Sequence, residues 1–184
     1  MQRAISVHGW GGHPDEGWRP WLGKELEKNG ITFISPLMPN TQLPQQGEWV
    51  SFLQKTVGRP DTKTYLIGHS LGVIGILRYL ETLQKDEEIG GVVFVAGFTD
   101  DLGIPELTNF FQKPIDWQKI KTHVDKVVSL QSDNDPYGLA KYNEDFKKHL
   151  NAETFLLHDR KHFSGDDGIT ELPEALHALR DIMI

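Results

Sequence analysis

Six short apolar runs, each followed by a stretch of helical character, leave this chain few architectures to choose from. The runs are Ala4–His8, Ile31–Ser35, Thr64–Ile67, Gly91–Ala96, Lys126–Leu130 and Thr154–Leu157. Most are continuously apolar, as expected of strands covered on both faces of a parallel sheet; strands with one wet face would alternate. Between them Trp18–Asn29, Glu48–Val57, Leu71–Gln84, Trp117–Thr122 and Tyr137–Leu150 read as helices, and Pro173–Ile182 as a last one. Asn29-Gly30 suits the end of the first helix, and Pro173 the first turn of the last. The alternation specifies an α/β fold. With 184 residues, 38% of them hydrophobic, one core and a single domain over residues 1–184 are expected. No repeat, low-complexity tract or linker interrupts the pattern. The one long irregular stretch, Gly97–Asp116, follows the fourth strand, where long loops commonly shape binding sites.

Charge and the residues that are missing narrow the function. Twenty-six acidic against nineteen basic residues give a net charge of −7. That field repels phosphate backbones and anionic lipid, so neither nucleic acid nor a membrane is an expected partner. The first residues reach the turn His8-Gly9 too early for a signal-peptide apolar stretch, and no run approaches 18 apolar residues, which predicts a soluble, cytoplasmic protein. With zero cysteines, disulfides, thiolate metal sites and a cysteine nucleophile are excluded.

The chemistry-bearing segment is Gly68-His69-Ser70-Leu71-Gly72, a Gly-x-Ser-x-Gly between an apolar strand and a helix. In that context the turn is tight enough to strain the serine backbone and lift its hydroxyl above the sheet, and side chains at Gly68 or Gly72 would strike neighbouring backbone. Ser70 is the candidate nucleophile; a serine there also suits a helix N-cap. The Leu71 N–H, at the positive end of the following helix, is a candidate oxyanion donor. His69, on the tight turn, reads as a packing and hydrogen-bonding element. The glycine-rich turn His8-Gly9-Trp10-Gly11-Gly12 closes the first strand and offers the Trp10 N–H as second donor. A dinucleotide loop does not fit, because Pro14 takes the place of the third glycine of Gly-x-Gly-x-x-Gly. No cofactor is expected.

A serine hydroxyl needs a base, and the base an orienting acid. Where a Gly-x-Ser-x-Gly elbow carries a triad, the chain order is serine, acid, histidine. Ser132-Asp133-Asn134-Asp135-Pro136 after the fifth strand supplies Asp135 or Asp133, with Asp100 and Asp101 more remote. His158-Asp159-Arg160-Lys161-His162 after the sixth supplies His162 or His158, the loop position favouring His162. His158 and His162 have an i, i+4 metal-ligand spacing, but in a loop and without the glutamate a zinc hydrolase needs, so no metal is expected.

These residues resemble the small serine hydrolases related to YdeN and retinoblastoma-binding protein nine, and the likeness spans nearly the whole chain. It runs from His8-Gly9-Trp10-Gly11-Gly12 through Trp18-x-x-Trp21-Leu22, Lys24-Glu25-Leu26-Glu27, Pro36-Leu37-Met38-Pro39-Asn40 and Glu48-Trp49 to Gly68-His69-Ser70-Leu71-Gly72. It continues in Phe111-x-x-Pro114-x-Asp116-Trp117-x-x-Ile120, Asp133-x-Asp135-Pro136 and His162-Phe163. The resemblance implies the triad Ser70, Asp135 and His162, and so chooses the aspartate before Pro136. It also implies a compact α/β-hydrolase fold, a three-layer αβα sandwich on a six-stranded parallel sheet of order 2-1-3-4-5-6 with no large cap. The retinoblastoma-protein motif Leu-x-Cys-x-Glu needs a cysteine this chain lacks, so that binding activity is not carried over.

Two-step acyl transfer on a small-molecule acyl substrate is the expected chemistry, in a shallow pocket bounded by Trp10, Phe98, Phe111 and Trp117; the alternative is that these aromatics belong to the core. Short esters, thioesters and activated amides all suit it. The same elbow serves an acyltransferase where water is excluded, or persists in a non-catalytic interaction module. Chemical activation of Ser70 discriminates these readings.

Overall fold

The computed structural model describes residues 1–184, and its sheet has the expected order. Six strands, β1 (Arg3–Val7), β2 (Thr32–Ile34), β3 (Thr64–His69), β4 (Gly91–Val95), β5 (Val127–Ser132) and β6 (Glu153–Leu157), lie in the order β2-β1-β3-β4-β5-β6. Every neighbouring pair is parallel. The continuously apolar runs account for the middle of the sheet, since β3, β4 and β5 are buried along their whole length. Edge strand β6 instead leaves Phe155 and Leu156 exposed.

Direction of crossover sorts the helices. With parallel crossovers of one hand, the connection running from β1 back to β2 puts its helix on the opposite face from those that advance along the sheet. Accordingly α1 (Arg19–Glu27) packs with the terminal α6 (Pro173–Ile182) on one face. The row α2 (Gln46–Val57), α3 (Leu71–Leu80), α4 (Trp117–Lys121) and α5 (Asn143–Leu150) covers the other. The three layers enclose one continuous cluster of 48 buried apolar residues. Every residue of α3 is buried, which fixes the helix after the Gly-x-Ser-x-Gly turn more firmly than a surface helix could be.

Two predicted helices fall well short of their patterns, beyond the one or two residues lost at the ends of others. The third stops at Leu80 instead of Gln84, where the Thr82 hydroxyl donates to the Tyr79 carbonyl and competes with helical pairing. The segment 137–150 is broken by Gly138, whose left-handed backbone leads into a 3-10 turn at Leu139–Tyr142 before α5 begins. Within 97–116, Pro105–Phe110 forms a 3-10 helix. Buried Arg78 of α3 fastens the end of this stretch, donating to the carbonyls of Phe110, Lys113 and Pro114 while paired with Glu81. No helix is long and apolar enough to cross a membrane.

Because all six strands run the same way, their carboxyl ends share one edge of the sheet. The turns after β1, β3, β5 and β6 meet there, and these are the turns that carry the singled-out residues.

Candidate active site

The turn from β3 into α3 holds Ser70 at φ 54° and ψ −122°, a backbone conformation side chains rarely adopt. Packing imposes it. A Cβ at Gly72 would overlap the Val7 carbonyl oxygen and lie 2.8 Å from that of His8, and one at Gly68 would sit 2.8 Å from the Val73 nitrogen. The Ser70 N–H is tied to the Val95 carbonyl of β4 at 2.9 Å. Its side chain makes no capping hydrogen bond to α3; the hydroxyl points instead at His162, Oγ to Nε2 2.9 Å.

His162 arrives on the loop after β6, flanked by Lys161 and Phe163, both with positive φ. Its Nδ1 lies 2.9 Å from Asp135 Oδ2. A carboxylate only accepts, so Nδ1 carries the proton and Nε2 is left to accept from Ser70. The Asp135 side chain is fully enclosed, and its Oδ1 takes the Tyr137 N–H at 2.8 Å. The competing residues pair elsewhere: Asp133 Oδ2 meets His158 Nδ1 at 2.6 Å, out on the surface. That hydrogen bond holds the Asp133 carboxyl below its ordinary range and raises His158.

The two candidate oxyanion donors belong to residues that line the space beside Ser70, Leu71 and Trp10. Leu71 opens α3 and has no intrahelical acceptor. The Trp10 N–H makes no hydrogen bond within the chain, although Gly11 and Gly12 on the same turn are both paired. His8 braces that turn from below: its Nδ1 bonds the Gly9 carbonyl at 2.8 Å and its Nε2 accepts the Met38 N–H at 2.9 Å. The neutral form does both jobs, and burial pushes His8 down to about 4.

A cavity of about 470 Å³ opens over Ser70. Trp10 and Phe98 line it, as predicted from sequence, but Phe111 and Trp117 do not. Phe111 packs behind Phe98 with ring centres 6.1 Å apart, and Trp117 stacks flat on His149 at 4.9 Å while its edge meets Phe146. Both are partly buried and pack against the core. Their place in the wall is taken by Leu102, Ile104, Leu107 and Tyr137, the last edge-on to His162 at 4.9 Å. Sequence reasoning missed these because the irregular 97–116 stretch carries no period that says which side chains point inward. Tyr137 was hidden in what reads as a helix. No three His, Asp or Glu side chains gather as a metal site would require.

Residues 4–181 match the family described as Serine hydrolase. The chain belongs to that serine hydrolase family. It is 32% identical to YdeN of Bacillus subtilis (strain 168) over 173 residues, covering 94% of this chain and 91% of the relative. It is 29% identical to serine hydrolase RBBP9 of Rattus norvegicus over 186 residues, covering 98% and 95%. The solved structure of the B. subtilis ydeN gene product superposes with a TM-score of 0.94 at 30% identity, over 99% of this chain and 98% of that one. Est1E of Butyrivibrio proteoclasticus, solved with ferulic acid, shares the fold alone, with a TM-score of 0.78 at 13% identity over 100% and 88%.

This serine hydrolase is expected to lose stability in mild acid. His8 and His69, both buried, have folded-state pKa values below the free value of 6.5, chiefly through burial. Between the folded and unfolded values only the unfolded chain binds the proton, so stability falls as pH drops from about 6.5 toward 4. His8 accounts for roughly 2–3 kcal/mol of that loss at about 1.4 kcal/mol per pKa unit. Denaturant unfolding at pH 7 and pH 5 reads the slope. His8→Gln, which keeps an acceptor for Met38, is expected to flatten it; an unchanged slope would mean His8 is already exposed to protons in the folded state.

Proposed function

We propose that the chain hydrolyses small carboxylic esters and related acyl compounds by two-step acyl transfer. The observation that carries this reading is the Ser70–His162–Asp135 hydrogen-bonded chain, with both links at 2.9 Å and Ser70 held out of helical geometry. Ser70 Oγ attacks the substrate carbonyl carbon as its proton passes to His162 Nε2. The negative charge that develops on the carbonyl oxygen is met by the Trp10 and Leu71 N–H groups, each worth about 3 kcal/mol in the transition state by analogy with other oxyanion donors. His162 then gives the proton to the departing alcohol, leaving the acyl group on Ser70. Water enters along the same line, loses a proton to His162, and releases the acid while Ser70 is reprotonated. Asp135 keeps the His162 proton on Nδ1 and stabilises the imidazolium formed in each half-reaction.

The cavity supports small substrates. Its apolar side, Phe98, Leu102, Ile104 and Leu107, suits a short acyl or alkyl group, and about 470 Å³ is modest for a ligand site. No basic residue other than His69 and His162 lines it, which disfavours anionic substrates. The test is a rapid-quench experiment with p-nitrophenyl acetate. A burst of p-nitrophenol near one equivalent per chain, with acetyl recovered on the peptide that carries Ser70, is expected. Turnover without acetyl on Ser70 would remove the covalent route.

A further inference from the structure

Beneath His162 lies a buried cation that the acyl-transfer scheme does not use. Arg19, the first residue of α1, is 2% exposed, and no carboxylate comes within ion-pair distance of it. Burial pushes its guanidinium down only to about 10, so it stays charged at neutral pH. The group sits over the Trp18 ring, 5.0 Å from its centre; Nη1 donates to the Glu16 carbonyl, and Nε has no partner at all. Its remaining contact is Nη2 to His69 Nδ1, 3.2 Å.

That contact and the carbonyl at the other ring nitrogen both act on where the His69 proton goes. A guanidinium has no acceptor, so Nη2 donates and Nδ1 of His69 must be the bare nitrogen. The neutral ring then carries its one proton on Nε2, which lies 2.7 Å from the His162 carbonyl oxygen. We propose that Arg19 is a positioning residue: by fixing His69 as the Nε2–H tautomer, it makes His69 a standing clamp on the backbone of His162. In the other tautomer two lone pairs would face each other at that distance, and the clamp would become a repulsion.

The loop needs such a hold. Positive φ values at Lys161 and Phe163 leave the backbone on both sides of His162 strained. The anchors that oppose its relaxation are His69 on the His162 carbonyl, the Trp18 Nε1–H on the Phe163 carbonyl at 3.0 Å, and Asp167 on the His162 N–H at 3.0 Å. Adjacent residues Trp18 and Arg19 therefore govern two consecutive carbonyls of the loop. An unpaired buried charge costs folding stability, so a purely stabilising role for Arg19 is a poor explanation of its place.

The effect on rate rests on the acyl-transfer reading; the effect on the His69 proton does not. Side-chain nitrogen NMR of the parent at neutral pH is expected to show His69 uncharged with its proton on Nε2, and Arg19→Met to show a mixture of tautomers. Arg19→Met should lower kcat about tenfold, as a sub-ångström displacement of a catalytic base can, with KM within about twofold and a thermal midpoint no lower than the parent's. In a His69→Gln background the amide nitrogen donates whatever Arg19 does, so adding Arg19→Met should cost less than about twofold more. A proton on Nδ1 in the parent would overturn the proposal. So would a fully active Arg19→Met, an equal tenfold loss in the His69→Gln background, or a midpoint lowered by more than about 5 °C, which marks a structural role. A parent without any turnover would remove the acyl-transfer reading alone, and the His69 tautomer and its dependence on Arg19 would then decide this one.

Discussion

Replacing Ser70 by alanine is expected to lower kcat on a p-nitrophenyl ester by about 10⁴- to 10⁶-fold while leaving the fold intact. The size comes from what the hydroxyl does: it is the cavity hydroxyl with a histidine base hydrogen-bonded behind it, so its removal deletes the first chemical step instead of weakening it. The fold survives because the side chain serves no structural purpose, having no capping bond to α3 and no polar partner but His162. Ser70→Gly sharpens the point. At φ 54° a side chain is strained, whereas glycine adopts that backbone freely, so this variant should be equally inactive yet about 1 kcal/mol more stable than the parent. Parallel kcat measurements and denaturant unfolding curves check both halves. A Ser70→Gly protein less stable than Ser70→Ala would mean the turn stores no strain.

The second large effect is on folding. Gly72→Ala adds one methyl group, and its nearest neighbours are the backbone carbonyls of Val7 and His8. Backbone at the end of an interior strand has no rotamer to change, so either α3 lifts away from β1 or the strand bends. We expect a loss of at least about 3 kcal/mol, at the upper end for overpacking, with Trp10 and the elbow displaced together. Gly47→Ala, where nothing lies within 4 Å of the added Cβ, is the matched control and should change stability by less than about 1 kcal/mol. A Gly72→Ala protein as stable as that control would show that α3 and β1 can separate at little cost.

Much of this site is legible in the sequence, for physical reasons that differ by residue. Ser70 announces itself because a strand-to-helix reversal this tight demands glycines at fixed spacing, so its geometry is written in residue types. Asp135 and His162 are less specific as residues, since aspartates and histidines populate many loops; their positions after the fifth and sixth apolar runs gave them meaning. The parallel order of the strands then brings those turns to one edge. What the sequence hides are contacts across the fold with no local signature. Arg19 reads as an ordinary helix-start residue, and only the packing of α1 under the loop after β6 shows it meeting His69. Trp117 and Phe111 look like pocket aromatics because aromatics near a predicted site usually are, yet whether a ring faces a cavity or a neighbouring helix depends on helix rotation. The breaks at Thr82 and Gly138 are of a third kind: each is a local competition that a hydrophobic period passes over.

Everything proposed for the chemistry depends on Ser70 being an armed nucleophile. Intact mass after exposure to a fluorophosphonate, with Ser70→Ala and His162→Ala proteins alongside, puts that to the test. One adduct per parent chain is expected, located on Ser70, and none on either variant over the same interval. A properly folded parent that takes up no adduct would contradict it, and would make the elbow the remnant of a catalyst in what is now a binding protein.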